Sequence, residues 1–170
     1  MKSTDDSQPR IEMRPAVSDD FLQLEAVRQI AFTPIFDSFR SILGEQIYAL
    51  AQAREDEAQG ELLRSLLTTE SEWEVYVVES GCAVVGFISI QLNLFTRVGE
   101  IGLNAIHPAY TGKGIGTAMY NFAVERMKDA GMKVATVATG GDSSHAPARR
   151  AYEKAGFTVQ IPSVWMCQEL

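Results

Sequence analysis

A chain of 170 residues with 46% hydrophobic content is long enough to bury one substantial core, and a second domain is not expected. Its net charge of −7 argues against general nucleic-acid binding. The longest strongly apolar run, Cys82 to Ile90, is far too short to span a bilayer.

Residues 1–10, MKSTDDSQPR, are polar, without the apolar stretch of a signal peptide, and read as a flexible tail before a single domain over 11–170. Ile11 to Pro15 suits a short strand, and Ser18 or Asp19 can cap a helix running to about Ala31 that Pro34 breaks. Ile35 to Thr68 is helical in pattern, in two or three pieces interrupted near Gly44 and Gly60. Trp73 to Glu79 alternates as a strand does, Gly81 marks a turn, and Ala83 to Asn93 completes a hairpin. Val98 to Ile106 is the next strand, ended by His107-Pro108. From Gly114, apolar residues Ile115, Ala118, Met119, Phe122, Ala123 and Met127 recur at helical spacing, with Gly131 as the stop. Val134 to Thr139 is a strand, and residues 140–144 form a turn. Pro147 opens a helix with an apolar stripe of Ala148, Ala151, Tyr152 and Ala155. Phe157 to Ile161 and Val164 to Gln168 read as two final strands around Pro162. The order is that of a mixed α/β fold.

Charge is unevenly spread. Residues 1–80 carry 7 basic and 16 acidic side chains, a net of −9, whereas residues 81–170 carry 8 basic and 6 acidic, a net of +2. Glu55-Asp56-Glu57 and its neighbours read first as a solvated helix face. The sharper reading is an anion-binding half facing a half that attracts a cation. Cys82 and Cys167 lack metal-type spacing and point to a reducing cytoplasm without a disulfide framework. His107 and His145 make no metal site, and no metal is expected.

His107 to Gly116, HPAYTGKGIG, is the most informative stretch. It reads as a strand end, a glycine-punctuated turn and the first turn of a helix. Gly112, Gly114 and Gly116 leave little side chain between an anion and the backbone amides, and a helix N-terminus adds its positive dipole end. A nucleotide P-loop is excluded, because Lys113 is followed by Gly114 instead of Ser or Thr, and His107 stands where a glycine belongs. The G-x-G-x-G spacing is not the Rossmann G-x-G-x-x-G either.

HPAYTGKGIGTAM together with the later APARRAYEKAGF resembles the two hallmark segments of the GCN5-related N-acetyltransferase superfamily, over roughly residues 73 to 160. The resemblance implies a central splayed mixed sheet flanked by helices, with acetyl-CoA as co-substrate and an amine as acceptor. It implies that the turn from Thr111 through Gly112, Lys113, Gly114, Ile115 and Gly116 to Thr117 holds the pyrophosphate, with Ile106 beside it. Thr111 departs from the usual Gln or Arg, which removes a long donor and leaves the backbone cradle. His145 stands where many relatives carry the asparagine that meets the pantetheine arm, and either replaces that contact or ends the turn. Tyr152 matches the tyrosine that commonly faces the cofactor sulfur, and a phenol protonated at neutral pH can donate to a departing thiolate. The backbone N–H near Asn104 would stabilise charge on the thioester oxygen, on a strand whose alternation is irregular enough to allow a bulge.

Glu100, at the spacing of the glutamate that histone-acetylating members carry, is the candidate base, acting directly or through water, with Asp142 a weaker one. An acceptor with a lysine-like pKa of about 10.4 is protonated at pH 7 and must lose a proton before it attacks. Cys167, Trp73 and Trp165 read as packing residues, whereas Phe32, Phe36, Phe39 and Tyr48 could wall an acceptor pocket. The expected function is direct acetyl transfer from acetyl-CoA to a small, cationic primary amine. A protein lysine or N-terminal amine as acceptor, or a non-catalytic acyl-CoA sensor, are the alternatives. Neither nucleic acid nor membrane is an expected partner, and a homodimer through the final strands is compatible with the resemblance.

Overall fold

Strands with alternating apolar residues bury each face against helices, and here both faces are covered. The computed structural model describes residues 11–170; the tail read over 1–10 lies outside them. Five strands pair in chain order. β1 (Ile11–Pro15), β2 (Trp73–Ser80), β3 (Ala83–Asn93) and β4 (Val98–Ile106) are successively antiparallel. β5 (Val134–Val137) joins β4 in parallel, which requires the crossover through α3 (Ile115–Asp129). α1 (Phe21–Ala51) and α2 (Ala53–Leu66) lie between β1 and β2 in the chain, and α4 (Ala146–Lys154) follows β5.

One sheet face packs Val75, Val77, Phe87 and Ala105 against Leu24 and Val27 of α1 and Leu63 and Leu66 of α2. The other packs Val78, Val85, Ile88, Ile90 and Ile101 against Met119, Ala123 and Met127 of α3 and Tyr152 of α4. A polar brace fixes α3 on this second face. Arg126 donates to both oxygens of Glu74 on β2, at 2.5 and 2.8 Å, and Tyr76 donates to the same carboxylate at 2.9 Å.

Four expectations need correction. Pro34 sits inside α1 without ending it; the flanking Phe32 and Phe36 rings meet edge to face at 5.8 Å across that turn. The interruption expected near Gly44 is present, its φ of 74° and ψ of 161° not being helical. Gly60 does not interrupt α2, where it lies against the Glu25 side chain. In α3, Ala118 is exposed and Tyr120, outside the expected stripe, is buried.

The last correction is the largest. β5 ends at Val137, and beyond Phe157 no strand forms, with Val159 94% and Ile161 93% exposed. The apolar residues are present, but a strand needs a neighbouring edge to satisfy its backbone, and Pro162 removes a donor at the centre of the segment.

β4 carries the bulge that its irregular alternation allowed. Ile88 of β3 pairs with Asn104 and Ile90 with Ile101, so Ser89 alone faces both Gly102 and Leu103. Ser89 is fully buried and donates to the Leu103 carbonyl at 2.9 Å. The Trp73 ring fills the space a side chain at 102 would take; a Cβ there would lie 2.4 Å from it. Gly102→Ala is therefore expected to cost about 1–3 kcal/mol, read by urea denaturation. An unchanged midpoint would mean that Trp73 swings away freely.

Candidate active site

The bulge decides which side chains meet. Gly99 lies against Met127 and Ile101 packs on α3, whereas Gly102 meets Trp73 and Leu103 joins the α1–α2 core. Two successive residues thus turn to one face, and Asn104 comes round to the face of α3 and α4. Without the extra residue it would share the face of Glu100.

The sheet opens at the same place. β4 pairs with β5 only from Val98 to Ile101, against Val134 to Val137, and Gly102 to Ile106 keep β3 alone as a neighbour. The His107 amide bonds Val85 of β3 at 2.7 Å. By the two-residue alternation of a strand, the Asn104 and Ile106 amides point to the other edge, into the opening.

Below that edge, the Asn104 side chain ties two tyrosines together. Its Nδ2 donates to the Gly102 carbonyl at 2.8 Å and to Tyr152 Oη at 3.2 Å, and its Oδ1 accepts from Tyr120 Oη at 2.9 Å. The two rings lie 4.2 Å apart. Burial pushes the Tyr152 phenol above its ordinary value, while its polar neighbours Tyr120 and Asn104 pull it back. Burial raises Tyr120 much further. Both phenols are therefore protonated at neutral pH. Because Asn104 donates to Tyr152 Oη, the Tyr152 hydrogen stays free for another acceptor.

The glycine turn precedes α3. Gly112 and Gly114 have φ of 75° and 80°, values that favour glycine, and nothing lies within 4 Å of where a Cβ would stand on either. The helical ladder begins with Ala118 N–H to Gly114 O at 3.0 Å, so the Ile115, Gly116 and Thr117 amides lead out of the helix start. Ile115 is buried beneath them, while Thr111 and Lys113 are exposed. Lys113 Nζ donates to the Ala109 carbonyl at 3.0 Å and lies 5.1 Å from the Tyr110 ring centre. Backbone donors with no side chain in front of them, and an ammonium beside them, fit a pyrophosphate.

Opposite β4, the turn Ser143–His145 leads into α4. Asp142 accepts from Ser38 of α1 at 2.8 Å, from the Ser144 hydroxyl and amide, and from His145 Nδ1 at 2.5 Å. Arg149 clamps the same loop through the Gly140 and Asp142 carbonyls, and Phe39 of α1 stacks on the imidazole, centres 5.8 Å apart. Burial alone would raise the Asp142 carboxyl, but hydrogen bonds from Ser144, Ser38 and His145 outweigh it and hold the group far below the carboxylate range.

Of the site residues read from the sequence, Asn104 and Tyr152 are thus in contact, and Thr111 to Thr117 form one turn. Ile106 lies on the free part of β4, and His145 flanks the opening beyond β5. Glu100 does not join Asn104 and Tyr152. It is exposed in the closed part of the sheet, between Gln91 and Thr136, on the face opposite theirs. Phe32 packs in the α1–α2 core with Phe36 against it, Tyr48 is buried and donates to Asp56 at 2.8 Å, and Phe39 stacks on His145. Asp56 itself is buried, so the acidic run is not wholly a solvated face. Sequence reasoning missed Tyr120 and Ser38. Tyr120 lies three residues before Ala123 and seven before Met127, a spacing that marks it as inward-facing; no local pattern ties Ser38 to a turn 104 residues later.

The splayed mixed sheet and the glycine turn at a helix start have counterparts among known proteins. The chain belongs to the acetyltransferase (GNAT) family, whose family model matches residues 36–157. It is thereby an acetyl-CoA-dependent N-acetyltransferase. PaiA N-acetyltransferase from Thermoplasma acidophilum, solved with coenzyme A, is 20% identical with a TM-score of 0.69 over 91% of this chain and 93% of that one. A GCN5-related N-acetyltransferase from Ralstonia eutropha is also 20% identical, with a TM-score of 0.61 over 95% and 99%. An aminoglycoside acetyltransferase from an uncultured soil metagenomic sample, solved with sisomicin, is 13% identical with a TM-score of 0.58 over 94% and 96%. At these identities the likeness is one of fold. Comparison with curated proteins gives no match. Among the described residues no group of side chains could hold a metal ion, and no helix is long and apolar enough to cross a membrane.

The Asp142 cluster makes a pH prediction. The folded carboxyl lies below its ordinary value of 3.8, so ionised Asp142 stabilises the fold above that pH and loses its contribution as pH falls. Asp142→Asn is expected to lower the urea midpoint most at neutral pH, with the gap to the parent narrowing below about pH 4. A gap constant with pH would contradict this.

Proposed function

We propose that the chain acetylates the primary amine of a small cationic acceptor, with acetyl-CoA lying along the opening between β4 and β5. One observation carries this reading: a tyrosine with its hydrogen free stands against Asn104, on a strand whose amides face an unfilled edge. Acetyl-CoA supplies the activated acyl group. The amides of residues 112–117 and Lys113 bind its pyrophosphate, which needs no net positive chain because the donors are backbone dipoles.

The Asn104 amide stabilises the charge that develops on the carbonyl oxygen. Tyr152 gives its hydrogen to the departing sulfur. Glu100 shares the α1 face but stands on the paired part of the sheet, short of the opening, and reaches an amine there through water. The acidic first half of the chain, with Asp37, Glu45 and Glu57 exposed on α1 and α2, supports a cationic acceptor by raising its local concentration.

Thiol release with spermidine set beside neutral amines of similar size tests the acceptor class, and equal rates for both would remove the cationic preference. Tyr152→Phe is expected to lower kcat about a hundredfold with little change in the KM for acetyl-CoA. A parental kcat would take Tyr152 out of the proton transfer. Gly114→Val forces a branched side chain into positive φ, a strain of about 1–2 kcal/mol, and is expected to weaken CoA binding about tenfold. Calorimetry showing full affinity would place the diphosphate elsewhere.

A further inference from the structure

The Asp142–His145 pair has a geometry that the proposed function leaves unused. Asp142 is fixed by four hydrogen bonds drawn from Ser38, Ser144 and His145. It accepts at His145 Nδ1, which fixes the tautomer: whenever the imidazole is neutral, its ring hydrogen lies on Nδ1. The lone pair is then on Nε2, for which no hydrogen bond is present among the described residues.

The ring is held on every side. Phe39 stacks on it, and the His145 side chain is only 16% exposed. Gly140 lies so close that a Cβ there would stand 2.5 Å from Nδ1 and 2.7 Å from Asp142 Oδ1. Among the described residues, the charged groups in contact with this cluster are Asp142 and Arg149, the latter through backbone carbonyls. Such immobilisation exceeds what a loop histidine needs to end a turn.

Its place in the fold is equally specific. The β5–α4 loop forms the far wall of the opening whose near wall is Gly102 to Ile106. α1 touches both β4 and the turn Ser143–His145, so it spans the gap on one face while Tyr152 and Tyr120 close the other. An amine entering beside α1 meets His145 on the way to the thioester. Glu100 shares the α1 face but stands on the closed part of the sheet, where β5 still pairs with β4.

We infer that His145 Nε2 is the general base that deprotonates the acceptor ammonium, with Asp142 as the residue that positions it. This rests on the acetyl-transfer reading above and assigns its missing proton acceptor. Nε2 takes one proton from the ammonium, and the freed nitrogen lone pair forms the C–N bond to the acetyl carbonyl carbon. The C–S bond breaks with its electrons on sulfur. Tyr152 protonates that sulfur and regains a proton from the new amide nitrogen, and His145 returns its own to solvent. The sum is amide, free thiol and one released proton.

Asparagine at this position makes the decisive variant. His145→Asn keeps a polar group able to contact pantetheine but cannot accept a proton. In the full chain, with spermidine as acceptor, it is expected to lower kcat at pH 7 about a hundredfold or more and to remove the ascending limb of kcat against pH. Calorimetric affinity for acetyl-CoA should stay within about twofold of the parent. Added imidazole should restore part of the rate in His145→Ala. Unchanged kcat and pH limb in His145→Asn would overturn the inference, as would a defect confined to acetyl-CoA affinity. A parent that binds acetyl-CoA but releases thiol with no amine would instead remove the acetyl-transfer reading, and this inference with it.

Discussion

A single extra residue in β4 is the constraint on which the site depends. Strand periodicity would place Glu100, Gly102 and Asn104 on one face. Accommodating both Gly102 and Leu103 opposite Ser89 reverses the phase, and Asn104 reaches the tyrosines of α3 and α4. The reversal is held by a glycine under the Trp73 ring and by a buried serine that bonds the bulged carbonyl. It coincides with the point where β5 leaves β4. Separation of the strands and rotation of Asn104 are therefore one event, which is why hydrogen-bonding side chains sit just where backbone donors lose their partners.

The electrostatics follow from geometry more than from formal charge. An acidic chain can hold a polyanion because the donors at 112–117 are peptide dipoles at a helix start, a field that acts over a few ångströms. What the turn requires is a fixed position. The Arg126–Glu74–Tyr76 brace supplies it by anchoring α3 to β2, close to the Phe122–Tyr76 ring contact at 4.8 Å.

Sequence patterning revealed most of this arrangement and failed in identifiable places. Alternation and turn residues located β2, β3 and β4 within a residue or two, because a sheet with both faces buried leaves little freedom. The glycine turn was legible because its backbone demands are local. Pro34 misled, since the lost backbone bond is outweighed by packing across α1, and the one break is that expected at Gly44. The final strands failed for the opposite reason: their apolar residues fit a strand, but hydrogen-bonding partners are a property of the whole fold. Asn104 was legible as a position on its strand. Its side-chain bonds to Tyr120 and Tyr152, and the Ser38–Asp142 link, join residues 16 to 104 positions apart and leave no local trace.

The chain leaves its folded body at Phe157, whose ring meets that of Tyr152 edge to face at 5.9 Å. Past this contact, Val159, Ile161, Val164 and Met166 all stand in solvent. The exit point and Tyr152 are thus mechanical neighbours. Tension applied along this trailing stretch is delivered first to the phenol that Asn104 holds.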